Sequence, residues 1–273
     1  MKLKPHKPDE LDKVKLLIYG EPGAGKTVFS GTAQECSKTS NALMISAEAG
    51  TLSIRDKDID VVEPSSISEF NEIFEWVATH ARYRDQYEQS QGKDKKALEN
   101  LQKLHYQFHG EKTEKPKLYQ TVIIDNITEV NVMASYEILG IEQDTIDSDP
   151  PVECMRDWGK IKKMVTKIVR SFRNLPIHVI MTAHKIKDGE GPDAKIKPAV
   201  TGSLKDELPG FFDIVGLLEP YSEEVEKDGE TQKVVKRYLM VEGTDKFIAK
   251  DRSGSLGSYI ESPTVSKVMT KIK

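Results

Sequence analysis

The tightest constraint on this chain lies near its start. An apolar run, Val14 to Tyr19, leads straight into Gly20, Glu21, Pro22, Gly23, Ala24, Gly25, Lys26 and Thr27, and Val28 follows. Every fixed position of G-x-x-x-x-G-K-[ST] is filled, in the strand-loop-helix context that pattern requires. The glycines let the backbone curl so that successive N–H groups converge on an anion at a helix N-terminus. Residues Gly20 to Val28 are therefore expected to hold ATP, with Lys26 meeting the β and γ phosphates and the Thr27 hydroxyl ligating Mg²⁺.

Further apolar runs fall at Ala42–Ser46, Thr121–Ile124, Ile177–Met181, Ile214–Leu218, Tyr238–Val241 and Phe247–Ala249. The first three of these, like Val14–Tyr19, are nearly continuous, as parallel strands covered on both faces must be. Helical segments separate them, so the fold class is α/β, with a mainly parallel central sheet flanked by helices. From Trp158 to Asn174, apolar Trp158, Ile161, Met164, Val165, Ile168, Val169 and Phe172 recur at steps of three and four, predicting an amphipathic helix with a basic outer face. Residues 80–117, rich in Gln, Lys, Glu and aromatics, read as a helical insertion, and Asp228-Gly229 between apolar runs predicts a hairpin. A length of 273 residues fits one domain, 1–273, carrying that insertion.

Composition closes off several classes. There are 44 acidic and 40 basic residues, a net charge of −4, which excludes a chain that holds nucleic acid through bulk positive charge alone. The two cysteines, Cys36 and Cys154, have neither zinc-site nor disulfide-framework spacing. No apolar stretch reaches the length of about 18 residues that a membrane span needs, and the N-terminus lacks the apolar core of a signal peptide. The expectation is a soluble, cytoplasmic protein with no membrane partner.

A carboxylate is needed to hold the metal, and Asp125, closing the buried run Thr121–Ile124, is expected to supply it. Hydrolysis needs a second carboxylate to activate water. Asn126 follows Asp125, so an Asp-Glu pair is absent from that strand. The run Asn41–Ser46 instead leads to Ala47-Glu48-Ala49-Gly50, and in a parallel sheet Glu48 would emerge at the ligand-binding edge beside the γ-phosphate.

A phosphate loop, a next strand ending in "SAEAG" and a metal aspartate without a following glutamate together resemble the RecA and hexameric-helicase (DnaB) branch of ATPase cores. The resemblance implies that Glu48 is the catalytic base. It implies that His184, in the strand-end block His178 to Lys185, stands where that branch carries a γ-phosphate-sensing glutamine. It also implies that Lys250 and Arg252, in Phe247 to Gly254, reach the ATP of a neighbouring subunit in a ring or filament. With Asp157-Trp158-Gly159 and Thr182-Ala183-His184-Lys185, the pattern from about Val14 to Gly257 looks most like the phage nucleotide-binding RecA-core ATPases linked to single-strand annealing recombination. That likeness implies single-stranded DNA as a partner, annealing or single-strand-binding proteins as further ones, and the host cytoplasm as the location if the chain is phage-encoded.

In that branch two loops meet DNA. The matching stretches are about 140–157, which is acidic (Glu142, Asp144, Asp147, Asp149), and 185–202, which holds Lys185, Lys187, Lys195 and Lys197 with Gly189 and Gly191 and is expected to be mobile. Tyr83, Tyr87, His105, Tyr106 and Phe108 are expected either to pack the insertion or to stack on bases. Two other classes compete with a DNA-dependent ATPase. One is a P-loop kinase of a small molecule or nucleotide, and the other a non-hydrolysing, nucleotide-dependent assembly factor.

Overall fold

Strand and helix alternate from the start of the computed structural model, which describes residues 13–48, 50–141, 154–227 and 230–272. In order these form β1 (Lys15–Gly20), α1 (Lys26–Gly31), β2 (Ala42–Ser46), β3 (Asp60–Val62), α2 (Ile67–Gln89), α3 (Lys95–His109), β4 (Thr121–Asp125), α4 (Ile127–Leu139) and α5 (Met155–Arg173). There follow β5 (His178–Asp188), β6 (Lys195–Pro198), α6 (Leu204–Glu207), β7 (Ile214–Lys227), β8 (Glu230–Met240), β9 (Lys250–Asp251), β10 (Tyr259–Glu261) and α7 (Val265–Lys271).

The period of two within the buried strands makes the layers. Leu17, Tyr19, Leu43, Ile45, Val122, Ile124, Val179 and Met181 point into one apolar cluster, covered by α2, α4 and α5. Their neighbours Leu16, Ile18, Met44, Ile123 and Ile180 point into a second, covered by α1 and α7. Among the described residues the strands lie in the order β10-β8-β7-β1-β5-β4-β2-β3. The run from β7 to β3 is parallel throughout, while β8 and β10 extend it antiparallel. This is the expected α/β architecture, a mainly parallel sheet between helices.

The amphipathic helix begins three residues before its expected start, at Met155, and buries Ile161, Val165, Ile168, Val169 and Phe172. Phe172 meets Phe70 and Phe74 edge-on, with centroids 5.6 and 4.9 Å away. Trp158, assigned above to the apolar face, is instead 47% exposed, in the first turn of α5.

The helical segment expected at 80–117 starts earlier, at Ile67. Its boundary was hidden because Phe70, Val77 and Ala81 belong to the main core rather than to a separate one. Arg84, fully buried, donates to Tyr119 O (3.3 Å), Gln120 Oε1 (2.6 Å) and Pro176 O, tying α2 to the backbone that enters β4 and β5. Of the aromatic residues singled out in the sequence, Phe108 stacks on Trp76 at 4.7 Å, a packing role, whereas Tyr106 is half exposed.

Two expectations change, and the strands of the expected hairpin pair as read. The stretch 185–202 is not an open loop: residues 185–188 continue β5 and pair antiparallel with 195–198 of β6. Lys185 bonds Glu219 at 2.7 Å, and Lys197 lies 2.7 Å from Asp188 and 2.5 Å from Asp206, so these two lysines are neutralised within the chain. Phe247–Ala249 is no strand. Phe247 makes only an isolated bridge to Ile196, and the ladder with β7 begins three residues later, at Lys250 and Asp251. The acidic segment after Leu218 continues β7, which pairs with β8 out to Lys227 and Glu230; Asp228 and Gly229 between them lie outside the described residues, as do the acidic residues of 142–153.

Burial of His178 makes a prediction about acid. Its Nδ1 accepts a hydrogen bond from Val14 N at 3.1 Å, which only the neutral ring can do. Burial first, then the nearby charges of Lys13, Lys15 and Arg84, push its pKa down to about 3. The unfolded chain takes up this proton near the ordinary value of about 6.5. The folded state therefore loses stability as pH falls from about 6.5 toward about 3, by about 2–3 kcal/mol at about pH 4.5. His178→Asn keeps an acceptor for Val14 N without a titrating ring. Urea unfolding of this variant should show a stability loss between pH 7 and 4.5 smaller by that amount; equal losses would refute the assignment.

Candidate active site

Because β1, β5, β4 and β2 are parallel neighbours, their C-terminal tips line one edge of the sheet. Register aligns Gly20 with His184 and Ser46 with Asp125, so residues far apart in sequence arrive side by side. At the tip of β1 the backbone turns through Gly23 (φ 78°) and Gly25 (φ 100°), left-handed positions that glycine enters without strain, and α1 begins at Lys26. Gly20 serves a different need: a Cβ there would sit 2.4 Å from Leu218 O.

The Lys26 side chain is buried, and its ammonium donates to Gly20 O at 3.2 Å and Glu21 O at 2.9 Å. Burial pulls its pKa below the usual lysine value, while Glu48, Asp125 and Glu21 push it back up. Thr27 Oγ1 donates to Asp125 Oδ2 at 2.5 Å, and Thr182 Oγ1 donates to Asp125 Oδ1. A hydroxyl and a carboxylate oxygen thus meet where the phosphate-loop pattern calls for a metal. That all-oxygen pair fits Mg²⁺, which takes one or two protein oxygens and fills its shell with phosphate and water. Val28, the last residue of the expected nucleotide contact, is exposed in the first turn of α1.

Glu48, Asn126 and His184 form the other half of the site. Asn126, fully buried, caps α4 by accepting from Glu129 N at 2.9 Å through Oδ1. That fixes its amide so that Nδ2 donates to Glu48 Oε2 and lies 3.3 Å from His184 Nε2. Lys26 Nζ, which can only donate, faces His184 Nδ1 at 3.3 Å, so Nδ1 is the accepting nitrogen. Nε2 then carries the hydrogen and directs it at Glu48 Oε1, 3.4 Å away, so that it and the Asn126 amide converge on one carboxylate as two donors without bonding each other. The His184 backbone is pinned as well: its N–H donates to Thr128 Oγ1 at 3.0 Å, and its C=O accepts from Ala199 N at 2.8 Å. A continuous path therefore joins the phosphate-loop lysine to the strand-tip carboxylate through one imidazole.

A family model described as an AAA domain matches residues 12–253, from before β1 to beyond β9. The chain belongs to the AAA domain family. No curated protein sequence matches it. The AAA domain here is a P-loop nucleotide-binding fold of ATPase type, and ATPases of that type use ATP and Mg²⁺. Among the described residues, no helix of this AAA domain is long and apolar enough to cross a membrane.

Two of the residues singled out in the sequence do not join the group. Lys250 pairs in register with Val215, which aligns with Leu17, and Arg252 lies further toward the N-terminal edge of β1. Lys250 Nζ donates to Pro209 O at 2.6 Å; Arg252 donates to Gly210 O at 3.0 Å and to Asp213 at 3.3 Å. In its own subunit this pair sits away from the phosphate loop. Conversely, Asn126, Thr128 and Thr182 went unrecognised as site residues. Asn126-Ile127-Thr128-Glu129 carries a legible cue, an N-cap asparagine with a glutamate three residues on, directly after the strand that ends in Asp125. Thr182 gives no such cue beyond its place two residues before His184, on the same strand face.

Proposed function

We propose that this chain is a RecA-like motor ATPase that hydrolyses ATP and acts with single-stranded DNA in phage-type recombination or replication. The observation that carries this reading is the convergence of Lys26, Asp125, His184, Asn126 and Glu48 on adjacent strand tips. Glu48, held from two sides by Asn126 and His184, orients the attacking water and takes its proton. Thr27 and Asp125 would hold Mg²⁺, which would supply charge neutralisation at the phosphates. Lys26 leaves its resting carbonyl partners to bind the same phosphates, and His184, losing the Lys26 donor, responds to that move. Subunits assemble as a ring or filament in which Lys250 and Arg252 serve the neighbour's nucleotide.

The support for a DNA-linked output is the connection beyond His184. The same strand continues as the β5–β6 hairpin, and Lys187 and Lys195 on it have no ion-pair partner among the described residues. The fold's balance of charge predicts weak, salt-sensitive DNA affinity per subunit, with useful binding gained through assembly. The deciding measurement is phosphate release with and without single-stranded DNA, using Glu48→Gln as the inactive control. A several-fold rise in kcat is expected. Turnover indifferent to DNA but raised by a phosphate-accepting small molecule would overturn this reading in favour of a kinase.

A further inference from the structure

β7 and β8 run past the end of β1. The last β1–β7 pair is Tyr19 with Leu217, yet the β7–β8 ladder continues outward through Leu218–Leu239 and Pro220–Arg237. This overhang carries Arg237 beyond the sheet edge and over the phosphate loop. Arg237 Nε donates to Ala24 O at 3.1 Å. A Cβ placed on Gly25 would meet that Nε at 2.9 Å and Cδ at 3.2 Å, so the side chain lies directly on the loop.

From these contacts the geometry points to Arg237 as a further nucleotide-binding residue, an arginine acting in cis on the α and β phosphates. Nε is the only guanidinium nitrogen with a hydrogen bond or ion pair among the described residues, which leaves four N–H donors on the two terminal nitrogens. The residue is exposed. A planar fork of donors, already anchored and oriented by Ala24, is the group best matched to paired phosphate oxygens. Ala24 and Gly25 belong to the part of the loop whose backbone cradles the α and β phosphates, whereas Lys26 and His184 face the γ position. The contact is therefore shared by ATP and ADP. No spacing motif marks Arg237, since it lies 212 positions after Gly25 and only the overhang of the β7–β8 hairpin brings them together.

This rests on the nucleotide-binding reading of the same loop, and one variant separates the two. In Arg237→Gln the amide nitrogen occupies the place of Nε and can still donate to Ala24 O, while the terminal nitrogens and the charge are gone. Fluorescent-nucleotide titration should show ADP and ATP bound about tenfold to a hundredfold more weakly, with an unchanged melting midpoint of the nucleotide-free protein. Arg237→Lys should recover part of that loss, because it restores charge without the fork. If the unaltered protein binds ATP and ADP but Arg237→Gln binds ADP as tightly, Arg237 merely caps Ala24 and the inference fails. If the unaltered protein binds neither nucleotide, the reading of the loop fails and this inference with it.

Discussion

Glu48→Gln should bind ATP within a few-fold of the unaltered protein and hydrolyse it about 10²–10⁴-fold more slowly, the range a positioned general base contributes. The amide is the same size as the carboxylate and can still accept from Asn126 Nδ2. Its own nitrogen, however, would face His184 Nε2, and two donors cannot share that gap. The histidine must then present a lone pair at Nε2 and a hydrogen at Nδ1, which breaks its contact with the Lys26 ammonium. The variant should therefore lose proton abstraction and also change how the nucleotide-free site holds Lys26. Single-turnover hydrolysis beside a nucleotide titration separates the two effects. Undiminished hydrolysis would place the base elsewhere.

Lys26→Ala is expected to cut kcat/KM for ATP by at least about a hundredfold, since a charged donor to the β and γ phosphates disappears from a buried position. The same variant offers a test of assembly. Arg252→Ala alone should also lose hydrolysis if the guanidinium serves a neighbouring subunit, and mixing the two inactive proteins should restore part of the activity. A mixed interface joins an intact loop from one parent to an intact arginine from the other. Recovery also requires Arg252 to leave Gly210 O and Asp213, contacts it holds within its own chain. If mixed assemblies form and stay inactive, the arginine works locally, securing the entry to β7.

The central layer was legible in the sequence because burial on both faces leaves an unambiguous mark. Ala42–Ser46 stands as read, and Thr121–Ile124 extends by one residue, to Asp125. The edges were less legible for a physical reason. β7 beyond Leu218 and the β5–β6 hairpin have solvent on one or both sides, so acidic residues and lysines occupy them and the apolar signal vanishes. Their structure comes from backbone pairing and ion pairs such as Lys197 with Asp188, which leave no periodicity. α2 was cut short for the converse reason, its first turns carrying the apolar residues of the shared core. In the site, Gly20 to Thr27 could be read from spacing alone. Asn126 and Arg237 could not, because one acts through a helix cap and the other reaches its target across a neighbouring strand.

The sheet order also bears on how such a site can change over evolutionary time. Lys26, His184, Asp125 with Asn126, and Glu48 hang from β1, β5, β4 and β2, four successive rungs of one ladder. Neighbouring rungs are about 4.8 Å apart, so the first and last are separated by about 14 Å, a distance set by peptide hydrogen bonding and not by any side chain. The rungs act as a fixed ruler, and the residue at each mark can be exchanged while the marks stay in place. Replacing the histidine at the β5 mark by another hydrogen-bonding residue would be such an exchange. Descendants of this chain would more readily alter the chemistry at one mark than the spacing between marks.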